Sequence, residues 1–440
     1  MPYGFYGGVR PPAFKTLTSD KTIRKVFIPK RVVVPLSQHV GAPAEPVVAV
    51  GESVEVGALI GKAAGFISSS VHATISGKVT GISYSPTPTS ARILSVSIQS
   101  EDGHDQEFKA KEAKAASILS KEEILNTIKD SGLVGLGGAA FPTHVKLSPP
   151  KGKPVDSVIL NGAECEPYLT CDYRLMIEKP NEILKGLEVT AKVLGVKDIY
   201  IAIEDNKSLA IDAMEKAVRA MNYEQRRPKI VVLRTRYPQG AEKQVIKSVL
   251  NRIVPAGGLP MDVGCVVHNA GTVFAVYEAV YFRKPLIERV VTITGRCIKE
   301  PVNLCVRIGT ILSDLVDVFG GFVEEPEKII IGGPMMGVAQ YTMDVPLTKG
   351  TSGVIFLSKG QIDKSSENVC IRCGKCIEVC PMGLVPTTIM YNTKKERFAE
   401  AKGLGIMNCF ECGACAYECP AKIPLLDYMK FGKSKIQNGK

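Results

Sequence analysis

Residues 370–381 read CIRCGKCIEVCP, and residues 409–420 repeat the pattern as CFECGACAYECP. Each stretch places four cysteines in the spacing C-x2-C-x2-C-x3-C, and proline follows the fourth cysteine directly. Eight of the 13 cysteines of the 440-residue chain lie in these two stretches, a clustering that a disulfide framework does not explain. The repeat therefore predicts metal-bound thiolates in the last fifth of the chain.

The spacing is that of bacterial two-cluster ferredoxins, in which the fourth cysteine of each motif binds the other cluster. We assign one [4Fe–4S] cluster to Cys370, Cys373, Cys376 and Cys419, and the second to Cys409, Cys412, Cys415 and Cys380. Zinc is the alternative, but two zinc sites do not need a four-cysteine run of this form twice. Two adjacent clusters indicate an electron relay, because they offer no chemistry for binding a substrate.

The composition bounds the remaining possibilities. Apolar residues make up 45% and charged residues 22%, as in folded soluble proteins, and the length corresponds to roughly three domains. The net charge of +11 favours anionic partners, such as nucleotide phosphates, acidic proteins or an anionic membrane surface. No basic run is interleaved with aromatic residues, so we expect no nucleic-acid binding. The most apolar long stretch, 265–282, contains polar residues, so we expect no transmembrane helix.

Residues 1–106 are predicted to form a β-rich domain. VVAVGESVEVGALIGK (47–62) and VHATISGKVTGI (71–82) resemble the half-repeats of a lipoyl-type β-sandwich. The carrier lysine of such domains would stand at 73–75, where the chain has Ala-Thr-Ile, so a scaffold role is favoured over a swinging arm. The Pro- and Ser-rich residues 83–90 indicate a loop, and 107–119, with Lys109, Lys111 and Lys114, a linker.

Residues 120–287 are predicted to form an α/β domain. Ser120 and Glu123 form a capping-box signature that opens an amphipathic helix. Strand-like runs at 155–160, 199–203, 229–233 and 264–267 alternate with helical segments, which indicates a largely parallel sheet with ligands beyond its carboxyl ends. The stretch GLVGLGGAAFPTHVK (132–146) matches a dinucleotide-binding glycine pattern, but it follows a helix, whereas a Rossmann fingerprint must follow a strand.

Two further units complete the predicted α/β multidomain architecture. Residues 288–345 read as strand, turn, strand and helix, a small β-grasp unit, and GGPMMG (332–337) as a tight turn on its far side. Residues 346–440 form the two-cluster ferredoxin-like domain, which ends in a lysine-rich tail.

The glycine stretch and the following LNGAECEP (160–167) resemble the flavin- and NADH-binding subunit of respiratory complex I. With the β-sandwich, the β-grasp (SLBB-like) unit and the cysteine motifs in the same order, nearly the whole chain resembles RnfC, a subunit family of the Rnf electron-transport complex. The resemblance implies non-covalent FMN and NADH or NAD as cofactors beside the two clusters. A flavin is needed there because it exchanges hydride with single electrons.

The resemblance also implies the residues of the cofactor site. Those carried over by position are Gly135, Gly137, Gly138, Phe141, Lys146, Asn161, Glu164, Glu166, Tyr237, Gly240, Glu242, Asn269 and Thr272. The glycine backbone and Lys146 would meet the flavin and its phosphate, and Asn161 with Glu164 would hydrogen-bond the flavin. Tyr237, Gly240 and Glu242 would form a second loop on the flavin side, and Asn269 with Thr272 a phosphate-contacting turn. Glu164, on the flavin, and Glu166, with Phe141 on the route of the nicotinamide nucleotide, are the candidate catalytic residues.

Departures from the complex I pattern affect the nucleotide side. Leu136 stands in place of an arginine, Ala163 and Ala241 in place of acids, and Val254 in place of an aromatic residue.

The function implied is that of a peripheral subunit on the cytoplasmic side of a membrane-bound, ion-translocating ferredoxin:NAD oxidoreductase. It would oxidise NADH or reduce NAD, and its partners would be membrane and peripheral subunits of the same complex. The alternatives are a flavin subunit of a soluble NAD-linked dehydrogenase or hydrogenase, and a non-catalytic iron–sulfur adaptor without flavin.

Overall fold

The computed structural model describes residues 3–101, 105–110, 118–221 and 227–439. More than half of the predicted linker, including Lys111 and Lys114, lies outside the described residues. Among the described residues, no helix combines the length and the apolar character needed to cross a membrane.

The N-terminal region consists of the strands β1 (Ile23–Phe27), β2 (Arg31–Pro35), β3 (Glu45–Pro46), β4 (Ser53–Val54), β5 (Leu59–Lys62), β6 (Val71–His72), β7 (Gly77–Thr87) and β8 (Ser90–Gln99). Two small sheets, ordered β2-β8-β7-β4 and β3-β5-β6, share one apolar core. Alternation along β2 places Val32 and Val34 in that core. Ala73 and Ile75 are fully buried at the place of a carrier lysine, as a scaffold role requires.

The predicted loop at 83–90 is wrong, because β7 and β8 form a hairpin that continues to Thr87. The Ser85 hydroxyl donates to the Ser95 hydroxyl at 2.7 Å and extends the pairing of the two strands. A register irregularity between Ser85 and Thr87 accommodates Pro86, which has no N–H to give to the ladder.

The central region contains α1 (Lys121–Asp130), α2 (Thr143–Lys146), β9 (Ser157–Gly162), α3 (Cys171–Glu178), α4 (Pro180–Leu194), β10 (Asp198–Glu204), α5 (Ser208–Ala220), β11 (Lys229–Leu233), α6 (Glu242–Leu250), β12 (Cys265–Asn269) and α7 (Ala270–Phe282). Its four strands overlap the predicted ones and form a parallel sheet in the order β11-β10-β9-β12. Because parallel strands end at one edge, Asn161 of β9 and Asn269 of β12 lie side by side.

Helix α1 begins as its sequence predicts. Ser120 accepts a hydrogen bond from the Glu123 backbone N–H at 3.2 Å, and the Glu123 carboxylate accepts one from the Ser120 N–H at 2.7 Å. Ile124 and Ile128 are fully buried on its inner face. The glycine stretch therefore follows a helix, and the Rossmann context is absent from this stretch.

A third sheet joins distant parts of the chain. It adds β13 (Glu288–Gly295), β14 (Val302–Arg307), β15 (Lys328–Ile331), β16 (Val338–Gln340) and β17 (Gly353–Leu357), and its order is β1-β14-β13-β17-β15-β16. The sheet thus extends beyond the predicted 288–345 unit on both sides, because β1 and β17 pair with its strands. The helix predicted after β14 is two short 3-10 segments, Leu312–Leu315 and Asp317–Phe319.

The C-terminal region contains α8 (Lys375–Glu378), α9 (Pro386–Lys394), α10 (Phe398–Gly403), α11 (Ala414–Tyr417) and α12 (Leu425–Gln437). Gly374 and Gly413, at φ +80° and +76°, turn each cysteine loop into the short helix that follows it. The predicted basic tail is mostly part of α12, whose Met429 is buried. Lys433 of this helix donates to the Cys409 carbonyl at 3.0 Å.

Candidate functional site

The glycine loop between α1 and α2 is fixed at both ends and open in its middle. Its Gly135 N–H donates to the Phe141 carbonyl at 2.8 Å, and the Leu136 N–H donates to the Thr272 hydroxyl at 2.9 Å. Gly138 is exposed at φ +102°, and no atom lies within 4 Å of the position that a Cβ would take there. A flat ligand can therefore approach the backbone at Gly138 closely.

The two asparagines at the strand ends use their side chains within the protein. Asn269 caps α7 by accepting from the Thr272 N–H at 3.2 Å, and its amide nitrogen donates to the Asp172 carboxylate at 2.6 Å. Asn161 donates to the Gly240 carbonyl at 2.8 Å. A Cβ at Gly137 would lie 3.3 Å from the Cβ of Asn269, so Asn269 adjoins the glycine loop, and in this structure both asparagines position loops.

Glu164 lies outside helix α3, but its side chain caps the first turn of that helix. Its carboxylate accepts the backbone N–H groups of Asp172 and Tyr173 at 2.8 and 3.2 Å. Burial, and then the Glu164 charge, raise the pKa of the Asp172 carboxyl. The ligating atoms of Glu164, Cys171 and Asp172 lie within 4.8 Å of one another. Asp172 was not among the predicted site residues. It follows the NGAECEP motif in the sequence, and no local pattern there indicates that it lies next to Glu164.

Glu166 holds the turn between β15 and β16. Its carboxylate accepts from the Met335 and Met336 N–H groups at 3.1 and 2.9 Å, and burial raises its pKa to about 7. A Cβ at Gly333 would lie 2.2 Å from the same carboxylate, so only glycine fits there. The GGPMMG turn is therefore a docking point for the central domain as well as a tight turn.

A basic corner lies between α2 and the ends of β12 and α6. Lys146 forms an ion pair with Glu242. His268 is buried beside it, and burial together with the Lys146 charge lowers the pKa of this imidazole to about 3. Its Nε2 atom has no hydrogen-bond partner in the described part of the chain. An unpaired buried imidazole next to a lysine fits the phosphate of a flavin nucleotide, and this histidine was not among the predicted site residues.

The loop that carries Tyr237 joins the central domain to the cysteine region. The Tyr237 hydroxyl donates to the Cys412 carbonyl at 2.7 Å, and the Gln244 side chain donates to the Pro381 carbonyl at 3.2 Å. The Tyr237 backbone pairs with Val9, so the N-terminal segment closes the same junction.

Seven of the eight predicted cluster cysteines fall into two groups, with Cys415 touching both, and Cys373 is exposed. Cys380, Cys409, Cys412 and Cys415 line one cavity, with Cys380 contributed by the first motif. Cys370, Cys376 and Cys419 lie in a separate apolar cluster. Burial raises the pKa of Cys412 to about 12. A set of buried thiols with raised pKa ionises only beside cationic metal, and this donor set fits iron–sulfur clusters.

A cavity of about 460 Å³ opens at the carboxyl ends of β10 and β11. Tyr237 is the one predicted cofactor residue in its wall. Lys15 on its floor donates to the carbonyls of Glu164, Glu166 and Leu169 at 3.0, 2.8 and 2.5 Å. Lys15, which no sequence motif marks, therefore fixes the loop that carries both predicted catalytic glutamates.

Comparison with known protein families agrees with this layout. Residues 3–103 match the RnfC barrel sandwich hybrid domain, 128–278 the Nuo51 FMN-binding domain, 290–339 the SLBB domain, and 369–423 the 4Fe-4S dicluster domain. The predicted fold class is confirmed by this order of domains. The glycine loop, the basic corner and the cysteine loops together define a flavin- and iron–sulfur-containing electron-transfer subunit.

The chain belongs to the RnfC family, so the predicted family is confirmed. It is 46% identical over 433 residues to the corresponding subunit of the proton-translocating ferredoxin:NAD(+) oxidoreductase complex of Clostridium ljungdahlii, covering 98% of the chain and 93% of that protein. It is 41% identical to the counterpart from the Na(+)-translocating complex of Acetobacterium woodii, with 98% and 97% covered. It is 40% identical to the counterpart from the ion-translocating oxidoreductase complex of Rhodobacter capsulatus, with 99% and 83% covered.

Among solved structures, an NAD+-reducing [NiFe]-hydrogenase chain shares the fold. The TM-score is 0.51 at 18% identity, and the match covers 74% of this chain and 68% of the hydrogenase chain. FMN and two [4Fe–4S] clusters are the cofactors that the matched domains support.

Proposed function

We propose that this protein itself exchanges hydride with NADH or NAD+ and passes single electrons to its two clusters. When NADH is the donor, it gives up two electrons and one proton as hydride and leaves as NAD+. FMN, when bound, supplies the exchange between the two-electron hydride and single electrons. The complexes of the relatives are named as ferredoxin:NAD(+) oxidoreductases, which supports oxidoreductase activity for the assembly.

One observation carries the proposal: the Tyr237 hydroxyl bonds to the Cys412 carbonyl at 2.7 Å. This contact places the loop predicted to face the flavin directly against the second cysteine loop. Gly413 supports the same arrangement, since a Cβ there would lie 3.0 Å from the carbonyl of Met335, whose N–H donates to Glu166. We infer that the cluster held by Cys380, Cys409, Cys412 and Cys415 exchanges electrons with the flavin first.

The proposed roles follow the contacts. The loop at Gly135, Gly137 and Gly138 receives the flavin, and Lys146 with His268 receives its phosphate. Phe141 and Glu166 remain proposed to face the nicotinamide nucleotide, and Tyr237, Gly240 and Glu242 remain proposed to form a second loop on the flavin side. Asn161, Asn269 and Thr272 hold the loops of the cradle, and Glu164 holds α3 beside it.

We further propose that the protein sits on the cytoplasmic face of the membrane, attached to other subunits of its complex. The coupling ion differs among relatives of similar identity, one named proton-translocating and another Na(+)-translocating. The ion path is therefore assigned to partner subunits, and none of the residues of the proposed site selects the ion.

The test is an absorbance spectrum of anaerobically purified protein before and after NADH, together with flavin and iron analysis. We expect one FMN, about eight irons per chain, and bleaching of the flavin band by NADH. A protein with a full iron content but no flavin would support the adaptor alternative and refute the proposal. Co-purification with membranes would separate the Rnf-type assembly from a soluble dehydrogenase.

A further inference from the structure

The two cysteine loops are an internal repeat, so the surroundings of one loop can be compared with those of the other. Arg372 and Glu411 occupy equivalent positions and have φ of +57° and +63°. Gly374 and Gly413 follow, and each loop continues into a short helix, α8 or α11. The backbone is therefore the same in both loops, and their surroundings can be compared position by position.

The second loop is covered by the rest of the chain. Cys412 is buried, and its carbonyl accepts from Tyr237. Ala414 is fully buried, in an apolar cluster that also contains Val9. Glu411, between Cys409 and Cys412, accepts from Lys433 at 2.5 Å. Glu411, Cys412 and Ala414 of this loop thus all have partners within the chain.

The first loop presents the equivalent groups to solvent. Cys373, the counterpart of Cys412, is exposed. Ile371 is 69% exposed and Val369 is 87% exposed, on either side of Cys370. Their counterparts in the second loop, Asn408 and Phe410, are half-buried. Single exposed apolar residues are common, but two that flank a metal-binding cysteine, in a loop whose twin is covered, mark an uncovered contact surface.

The charges of the first loop indicate what covers it. Arg372 stands where the second loop has Glu411, and Lys375 stands where it has Ala414. Arg372 and Lys375 are both exposed, and the motif's one acidic residue, the exposed Glu378, follows them near the end of α8. The surface therefore has an apolar centre at Val369 and Ile371 and a basic rim. Its complement is an apolar patch with an acidic rim.

We propose that this surface, formed by Val369, Ile371, Arg372, Cys373 and Lys375, docks an acidic subunit that carries a one-electron centre. The inference rests on the proposed function, because it places the exit of the relay at the cluster far from the flavin. One electron leaves the cluster of Cys370, Cys373, Cys376 and Cys419, which is oxidised, and reduces the centre of the partner. A protein is favoured over a lipid surface because protein covers the twin loop.

The test compares two pairs of substitutions in the complete complex. Arg372→Glu with Lys375→Glu reverses the rim, and Val369→Ser with Ile371→Ser removes the apolar centre. The controls are Lys62→Glu with Lys78→Glu, exposed lysines of the N-terminal sandwich, and Val50→Ser, 62% exposed in the same region. Each variant is assayed for iron, for NADH oxidation by ferricyanide, and for NADH-linked ferredoxin turnover.

We expect the rim variant to lower ferredoxin-linked turnover by about tenfold or more, since like charges across an interface oppose association. Iron content and the ferricyanide rate should stay within about twofold of wild type, and the controls should change neither rate. The apolar pair should lower the same turnover without changing its salt dependence.

Unchanged ferredoxin-linked turnover in both variants would overturn the docking surface. Loss of NADH oxidation by ferricyanide, with the iron retained, would instead contradict the proposed flavin function. If the variants lost binding to anionic phospholipid vesicles while turnover was unchanged, the surface would be a membrane contact, and the proposal would be wrong.

Discussion

Gly138 gives the sharpest test of the flavin cradle, because the chain contains a matched control. Gly138 has φ +102° and Gly51 has φ +94°, and at both positions no atom lies within 4 Å of an added Cβ. Alanine at either site therefore costs backbone strain of about 1–3 kcal/mol and no steric clash. Only Gly138 lies in the predicted cradle; Gly51 lies in a turn of the N-terminal sandwich.

The strain sets the expected effect on the flavin. If the loop must keep its native backbone to hold FMN, the strain weakens binding in Gly138→Ala by about 5- to 140-fold, at about 1.4 kcal/mol per tenfold. Gly51→Ala should lose a similar free energy of unfolding but bind FMN within about twofold of wild type. Gly138→Leu, whose side chain would fill the open space, should retain no FMN.

The assay is reconstitution of deflavinated protein with FMN, followed by flavin fluorescence, with a thermal melt of each variant alongside. Equal FMN affinity in Gly138→Ala and Gly51→Ala would refute the assignment of the glycine loop. Retention of FMN by Gly138→Leu would refute it independently of any effect on stability.

Three further predictions concern the junctions of the domains. Cys380→Ser should remove about half of the iron and the signal of the second cluster, although Cys380 belongs to the first motif, because its thiol lies with the second set. Tyr237→Phe leaves the Cys412 carbonyl unpaired at a cost of about 1–3 kcal/mol, so cluster reduction by NADH should slow while flavin reduction does not. Lys349→Met should flatten the pH dependence of stability, because burial lowers the pKa of Lys349 from an ordinary 10.5 to about 7.

The sign for Lys349 follows from proton binding. Between pH 7 and 10.5 the unfolded chain binds a proton at this lysine that the folded chain lacks, so stability rises with pH across that range, by about 5 kcal/mol in all. Thermal melts from pH 7 to 10 measure the slope, and equal slopes in wild type and variant would contradict the assignment. For Cys380→Ser, loss of the electron paramagnetic resonance signal of the first cluster would contradict the assignment of Cys380 to the second cluster. For Tyr237→Phe, an unchanged rate of cluster reduction by NADH would contradict the predicted role of the Tyr237 contact.

Local sequence patterns predicted the parts of the structure that local physics decides. The capping box at Ser120 and Glu123 is such a pattern, because its hydrogen bonds close within one turn. The cysteine spacing is another, since three ligands come from one loop. The strands of the parallel sheet were predicted for the same reason: their apolar runs are short and bounded by turn residues.

Long-range contacts were not predictable in this way. The segment Lys15–Leu17 carries no motif, yet Lys15 is placed by carbonyls about 150 residues away in sequence. Glu166 was expected on the nicotinamide route because of its motif, and its partner turn at Met335 lies in another domain. These contacts depend on which distant segments pack together in the folded chain, and a single sequence does not show that packing.

The pairing of β1 with β14 has a consequence for the timing of folding. The Lys21 side chain donates to the carbonyl of Pro301, 280 residues further along the chain. A ribosome completes β1 long before its parallel partner emerges, so this strand waits as an unpaired edge during most of translation. Arg24 and Lys25, both exposed, put charge in the middle of the strand. Such charges discourage edge-to-edge association, so the nascent strand is protected from aggregation until β14 has been synthesised and can pair with it.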